Sequence, residues 1–281
     1  MLAHLSRLRQ TRRERRLESL ILETILADPS ALLIFALIGF AAQLVDGALG
    51  MAFGQISSTI LISIGVPPAV ASAGVHTAET FTTGVSGISH VAHRNVDWRL
   101  FFRIVIPGII GGVLGAYVLT QIDASTARPL VLGYLTILGI YLFYRGVMHR
   151  HTERRPKVVS PLGLVGGFLD AAGGGGWGAI VTSHLLVQGS NPRKTIGSVN
   201  TAEFFLTITI SATFLATLTL AGSDEDQALV LRAIVGLVIG GVLAAPFGAL
   251  IAKRVNPDRL LTFVGALLTL TSGYALFRVL S

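Results

Sequence analysis

The chain contains no cysteine, which excludes disulfides, thiolate metal sites and any relay of substrate through thiols. Charge is scarce as well. Asp, Glu, Lys and Arg make up 13% of the 281 residues, where soluble domains carry about 25%. Between Ser30 and His93 the formally charged side chains, histidine aside, are Asp46 and Glu79. With 52% hydrophobic residues and a mean hydropathy of +0.69, this excludes an ordinary soluble domain and defines an all-α integral membrane protein. Metal-ligand spacings and nucleophile–base pairs are also lacking, so the chain does not read as an enzyme and calls for no metal or cofactor. The net charge of +7 does not make it a nucleic-acid binder, because the cations sit in an N-terminal arm and in short loops, where they face anionic lipid.

What is present begins with a basic arm. Arg7, Arg9, Arg12, Arg13, Arg15 and Arg16 precede a stretch, 17–27, that is too short and too charged to span and reads as an interfacial amphipathic helix ended by Asp28-Pro29. Arm and helix occupy 1–29; a first membrane half follows at 30–144, a basic linker at 145–158 and a second half at 159–281. Each half opens with a pair of short apolar segments joined through glycine, 31–49 with 51–64 and 161–172 with 176–188. A span needs about 20 residues, so these pairs read as broken or re-entrant helices, whose unwound backbone has to line a protein cavity. The longer segments 69–92, 101–120, 129–144, 195–221, 228–252 and 260–277 bring the expected total to about eight to ten membrane segments.

The halves repeat one another. At a fixed offset of 124, residues 39–83 align without gaps on 163–207, and Asp46/Asp170, Gly50/Gly174, Gly54/Gly178, Pro68/Pro192, Thr77/Thr201 and Glu79/Glu203 coincide. Further on, an offset of 129 pairs Arg103 with Arg232 and Gly111 with Gly240. Equivalent loops carry opposite bias: 93–99 is basic where 222–226 is acidic, and 121–127 lacks Lys and Arg where Lys253, Arg254 and Arg259 stand. By the positive-inside rule the halves are oppositely oriented, as two inverted repeats, and the linker is cytoplasmic.

Within the apolar segments the carboxylates are Asp46, Glu79, Asp170 and Glu203, the two repeat-matched pairs. Ionisable groups at membrane depth are costly and mark ion pathways or proton relays. Glu79 and Glu203 stand mid-segment in the repeated phrases 75–81 and 199–205 and are read as proton-coupling groups, with a structural role as the alternative. Asp46 and Asp170 are read the same way, with acceptance of hydrogen bonds from broken backbone as the alternative. His76 lies three residues before Glu79 on the same helical face, and its repeat mate is Asn200. The first half is therefore expected to handle protons and the second to hold an anion. That anion is expected near the midplane, at backbone N–H groups around Gly174 and Gly175 and at the hydroxyls of Thr77, Ser198 and Thr201, with Asn200 assisting. Close helix packing is the alternative use of the glycines.

The order of these motifs also carries a resemblance. GFAAQLVDGALGMAFG at 39–54, VPPAVASAGVHTAETFTTGVSG at 66–87, HRNVDWRL at 93–100 and PGIIGGVLGA at 107–116, with the first motif repeated, resemble the sulfite exporter TauE/SafE family over about 35–277. The resemblance implies a secondary transporter of the bacterial cytoplasmic (inner) membrane that exports sulfite, an organosulfonate or a related small anion, with protons as a candidate coupling ion and a homo-oligomer as a compatible assembly. An anion uptake carrier or channel is the alternative within transport; a membrane enzyme or assembly factor is the alternative outside it. The lack of cysteine sets the chain apart from the related thiosulfate uptake proteins.

Overall fold

The computed structural model describes residues 28–49, 51–148, 156–188, 190–218, 231–244 and 257–281. The expected basic arm and amphipathic helix, residues 149–155 of the linker, and the loops at 222–226 and 253–256 whose charges orient the halves lie outside them. Among the described residues the chain is helical almost throughout and has no strand. The helices are α1 (Pro29–Leu49), α2 (Phe53–Ser63), α3 (Pro68–Ala92), α4 (Trp98–Gln121), α5 (Ala124–Val147), α6 (Ser160–Gly173), α7 (Ser183–Val187), α8 (Pro192–Leu218), α9 (Leu231–Ala244) and α10 (Pro257–Leu280), with a π-helical turn, Gly178–Thr182, leading into α7.

Proline sets many of the starts. Pro29, Pro68, Pro192 and Pro257 are first residues of their helices and Pro161 is the second of α6. There the missing N–H costs nothing and the fixed φ favours the helix. The Asp28-Pro29 pair, read as a helix end, is thus the opening of α1, with Asp28 accepting from the Ala31 N–H at 3.1 Å. Five helices (α1, α4, α5, α8 and α10) contain stretches long and apolar enough to cross a membrane. The 25-residue α3 is long enough too, but it carries His76, Glu79 and four threonines and falls short of that apolarity. The protein is multi-pass.

The distribution of polarity is inverted relative to a water-soluble globule. Large apolar side chains such as Leu37, Ile88, Ile137, Leu270 and Phe277 point outward, while His76, Glu79, Asp170, Asn200 and Glu203 are buried. Only a hydrocarbon surround makes that arrangement favourable.

Small residues set the helix pairing. Glycines let backbones approach closely, which replaces the hydrophobic effect as the packing device in lipid. α3 lies on α8 and α5 on α10. At the second contact, a Cβ on Gly139 would stand 2.6 Å from the Thr269 nitrogen. α4 lies on α6, where a Cβ on Gly163 would stand 2.7 Å from the Ile104 carbonyl oxygen. α1 lies on α9, where a Cβ on Gly39 would stand 2.7 Å from the Leu237 Cα. The first helix of each half therefore packs on the fourth helix of the other.

Candidate functional site

The two glycine-joined breaks meet at the centre. In the first half, α1 ends at Leu49 and α2 begins at Phe53, with Ala52 left-handed at φ 103°. In the second, α6 ends at Gly173 and Gly174, Gly175 and Gly176 follow at φ 73°, 133° and 152°. Those positive values are accessible to glycine at little cost. The breaks touch: a Cβ on Gly175 would lie 2.5 Å from the Gly54 carbonyl carbon and 2.6 Å from the Gln55 nitrogen.

An interrupted helix leaves backbone donors and acceptors that lipid cannot satisfy. The side chains supply them. Trp177 N–H donates to Asp170 Oδ1 at 2.7 Å. Its repeat equivalent, Asp46, stands close to the Phe53 N–H at the start of α2. Asp170 thus caps the helical piece that follows its own break, and Asp46 occupies the matching place in the first half. The carbonyls of the glycine run are met from the first half, Gly174 by the Ser58 hydroxyl and Gly175 by the Tyr134 hydroxyl at 3.2 Å. The Trp177 indole N–H donates to the Val199 carbonyl at 3.1 Å and ties this break to α8.

The charged groups converge on the same place. His76 is fully buried, and its Nε2 lies 3.1 Å from Asp170 Oδ2. Its Nδ1 lies 2.7 Å from the Ser72 carbonyl, which can only accept, so Nδ1 carries a hydrogen. Nε2 and Oδ2 then share one further proton, either as imidazolium with carboxylate or as neutral imidazole with carboxylic acid. That proton sits between an α3 residue of the first half and an α6 residue of the second. Ser72 braces the pair by donating to the Ala171 carbonyl at 2.8 Å. Glu79, one turn beyond His76, stands against Gly54, where a Cβ would lie 2.9 Å from its Oε1, and its Oε2 is buried without a partner. Glu203 on α8 lies within electrostatic reach of Glu79, Asp46 and Asp170.

The structure therefore brings together Asp46, His76, Glu79, Asp170, Glu203, Gly174 and Gly175. Asn200 is buried one turn before Glu203, and its Oδ1 has no partner. The three hydroxyls expected beside an anion are engaged elsewhere in hydrogen bonds. Thr77 donates to Ala73 and Thr201 to Gly197, each to a carbonyl of its own helix, at 2.7 Å. Ser198 donates to Lys194 at 2.7 Å and accepts from the Asp97 N–H at 2.8 Å, in the connection before α4. Sequence reasoning passed over Ser58, Ser72, Tyr134, Trp177, Gln43 and Gln55. A count of formal charge misses all six; the placement of Ser72 one turn before His76 was the available signal. Gln43 and Gln55 are buried, and the Oε1 of each lacks a partner.

Matches to known proteins agree with this organisation. The chain matches the family Sulfite exporter TauE/SafE over residues 35–275, and it belongs to that family of membrane transporters. It is 39% identical over 253 residues, 87% of this chain and 82% of the relative, to the "Probable membrane transporter protein YtnM" of Bacillus subtilis (strain 168). It is 24% identical over 111 residues, 40% of this chain and 23% of the relative, to the "Sulfite exporter TauE/SafE family protein 3" of Arabidopsis thaliana. No solved structure matches the chain.

Proposed function

We propose that the protein is a secondary transporter that exports sulfite or a related small sulfur-containing anion, such as an organosulfonate, across the bacterial cytoplasmic membrane, coupled to protons. One observation carries this reading. The backbone N–H groups at the starts of the helical pieces, the donors best suited to an anion, face the chain's own carboxylates: Trp177 donates to Asp170, while Asp46 stands close to Phe53 and Glu79 close to Gly54. Carboxylate and substrate anion compete for the same donors. A carboxyl that takes up a proton stops competing as a charged acceptor, so anion binding and proton uptake go together. A dianion that leaves with one proton still carries net negative charge outward, which an inside-negative potential favours by about 2.3 kcal/mol per charge per 100 mV. The amides of Gln55 and Asn200, whose buried oxygens lack partners, can turn to offer N–H to the anion. The inverted-repeat reading, with a cytoplasmic linker and the breaks at the midplane, is supported by the pairing of α1 with α9 and of α6 with α4.

Flux from proteoliposomes tests it, with radiolabelled sulfite, sulfate, thiosulfate, sulfoacetate and taurine compared under imposed pH gradients and diffusion potentials. Sulfite or a sulfonate is expected to move, with rates that respond to both. Glu79→Gln is expected to abolish the response to the pH gradient while the protein still inserts. Wild-type flux indifferent to the gradient would sink the coupling, and the absence of flux for every sulfur anion would sink the substrate class.

A further inference from the structure

A polar cavity lies away from the breaks. It has a volume of about 450 Å³ and sits between the start of α4, Pro156 at the end of the linker, and the start of α8. Arg99 and Arg103, one turn apart on α4, line it together with Asp97, Asn191, Lys194 and Thr195. Three of these are committed to local structure. Asp97 Oδ1 caps α4 by accepting from the N–H groups of Arg99 at 2.9 Å and Leu100 at 3.2 Å. Asn191 Oδ1 accepts from the Lys194 N–H at 3.1 Å at the start of α8. Lys194 Nζ donates to the carbonyls of Arg94 at 2.7 Å and Val96 at 3.4 Å.

The other three are not. Arg99 and Arg103 are exposed, and among the described residues no carboxylate stands within ion-pair distance of either. Thr195 lines the cavity and is 1% exposed, and its buried Oγ1 has no hydrogen-bond partner. A buried hydroxyl without a partner is uncommon and calls for an occupant. The repeat sharpens the point. Arg232, the mate of Arg103, acts on the carboxyl of Asp28, whereas Arg103 has a cavity before it.

We propose that this cavity binds a small oxyanion between the guanidinium groups of Arg99 and Arg103, with the Thr195 hydroxyl as the buried donor. Guanidinium forks match oxyanion geometry, and the hydroxyl adds a donor that fixes depth. A water takes about 30 Å³ of liquid volume, so the cavity holds the anion with part of its hydration shell. A free solute anion and the phosphate of a phospholipid headgroup share this chemistry. The role as a collecting site, filled before the anion reaches the central carboxylates, rests on the anion-transport reading; binding itself does not.

The test is equilibrium binding of radiolabelled sulfate and sulfite to the purified protein, first in neutral detergent without phospholipid and then in nanodiscs of zwitterionic or anionic lipid. The pair Arg99→Gln/Arg103→Gln and the single Thr195→Val are compared with Arg232→Gln, which makes one Arg-to-Gln change at the repeat equivalent of Arg103, outside the cavity. A free-anion site predicts binding in detergent that is weakened at least about tenfold by the double variant, several-fold by Thr195→Val and not by Arg232→Gln. A headgroup site predicts instead that anionic phospholipid is retained through purification and lost from the double variant. Binding of both kinds unchanged in the double variant and in Thr195→Val overturns the proposal. Affinity lost in the variants while the wild type carries no anion would leave this site standing and remove the transport reading. A KM raised at unchanged kcat in flux assays would place the site on the route.

Discussion

The two breaks solve one problem with different means. In both, an aspartate stands at the start of the helical piece that follows, Asp46 close to Phe53 and Asp170 accepting from Trp177. In the first half the turn is made with Ala52 at φ 103°; in the second it takes three glycines in succession at positive φ. At the position equivalent to Ala52, a Cβ on Gly176 would run into the Tyr134 hydroxyl. The second break is therefore the more crowded one, threaded between Gly54, Ser58 and Tyr134 of the first half. The partners differ too. Asp170 also holds His76 across the interface, while Asn200, the repeat mate of His76, leaves its Oδ1 without a partner. A duplicated scaffold has kept its aspartates and specialised its contacts: one side holds a proton between the halves, and the other keeps an amide oxygen without a partner.

The largest test of that asymmetry is the aspartate pair. Asp170→Ala removes the partner of a buried histidine as well as a cap and is expected to cost about 3–5 kcal/mol. Asp46→Ala removes a carboxyl beside the start of α2 that has no such partner and is expected to cost about 1 kcal/mol. Unfolding in mixed micelles reads the difference, and equal losses would erase the distinction drawn between the halves. Next comes Gly175→Ala. Its Cβ would meet backbone atoms of Gly54 and Gln55 that have no rotamer to move through, and its φ is unfavourable for an L side chain, so a cost of about 2–4 kcal/mol is expected. A melting temperature unchanged by that substitution would mean the breaks do not press on each other. The smallest effect is the reverse change in the other half. Ala52→Gly relieves a left-handed alanine and is expected to stabilise by up to about 1 kcal/mol. A loss of stability there would show that the first break depends on its methyl group.

Much of this centre was legible from the chain. Carboxylates stand out against an apolar background because each is costly there, and their recurrence at a fixed offset marks Asp46, Glu79, Asp170 and Glu203 without reference to structure. The glycine run marks the break for the same elementary reason. Where the hydroxyls of Thr77, Ser198 and Thr201 point was not legible. A threonine or serine within a helix readily bonds the carbonyl one turn back, and here all three do. Thr201 moreover faces Gly87 of α3, on a different side of α8 from Asn200 and Glu203. The roles of Gln43, Gln55, Tyr134 and Ser58 depend on contacts between segments far apart in the chain, which no local pattern announces.

The exchange of partners between halves has a consequence for how the protein is made. Synthesis runs at about 5–20 residues per second, N-terminus first, so α1 enters the membrane roughly 10–40 s before α9 leaves the ribosome. Through that interval the Gly39 face of α1, which ends against Leu237, has only lipid or an insertion factor to lie on. The first half is a waiting half: its opening helix finds its seat only after most of the second half has been translated. A ribosome that stalls between the halves would leave in the bilayer a half-protein whose helix-packing glycines are open to any neighbour.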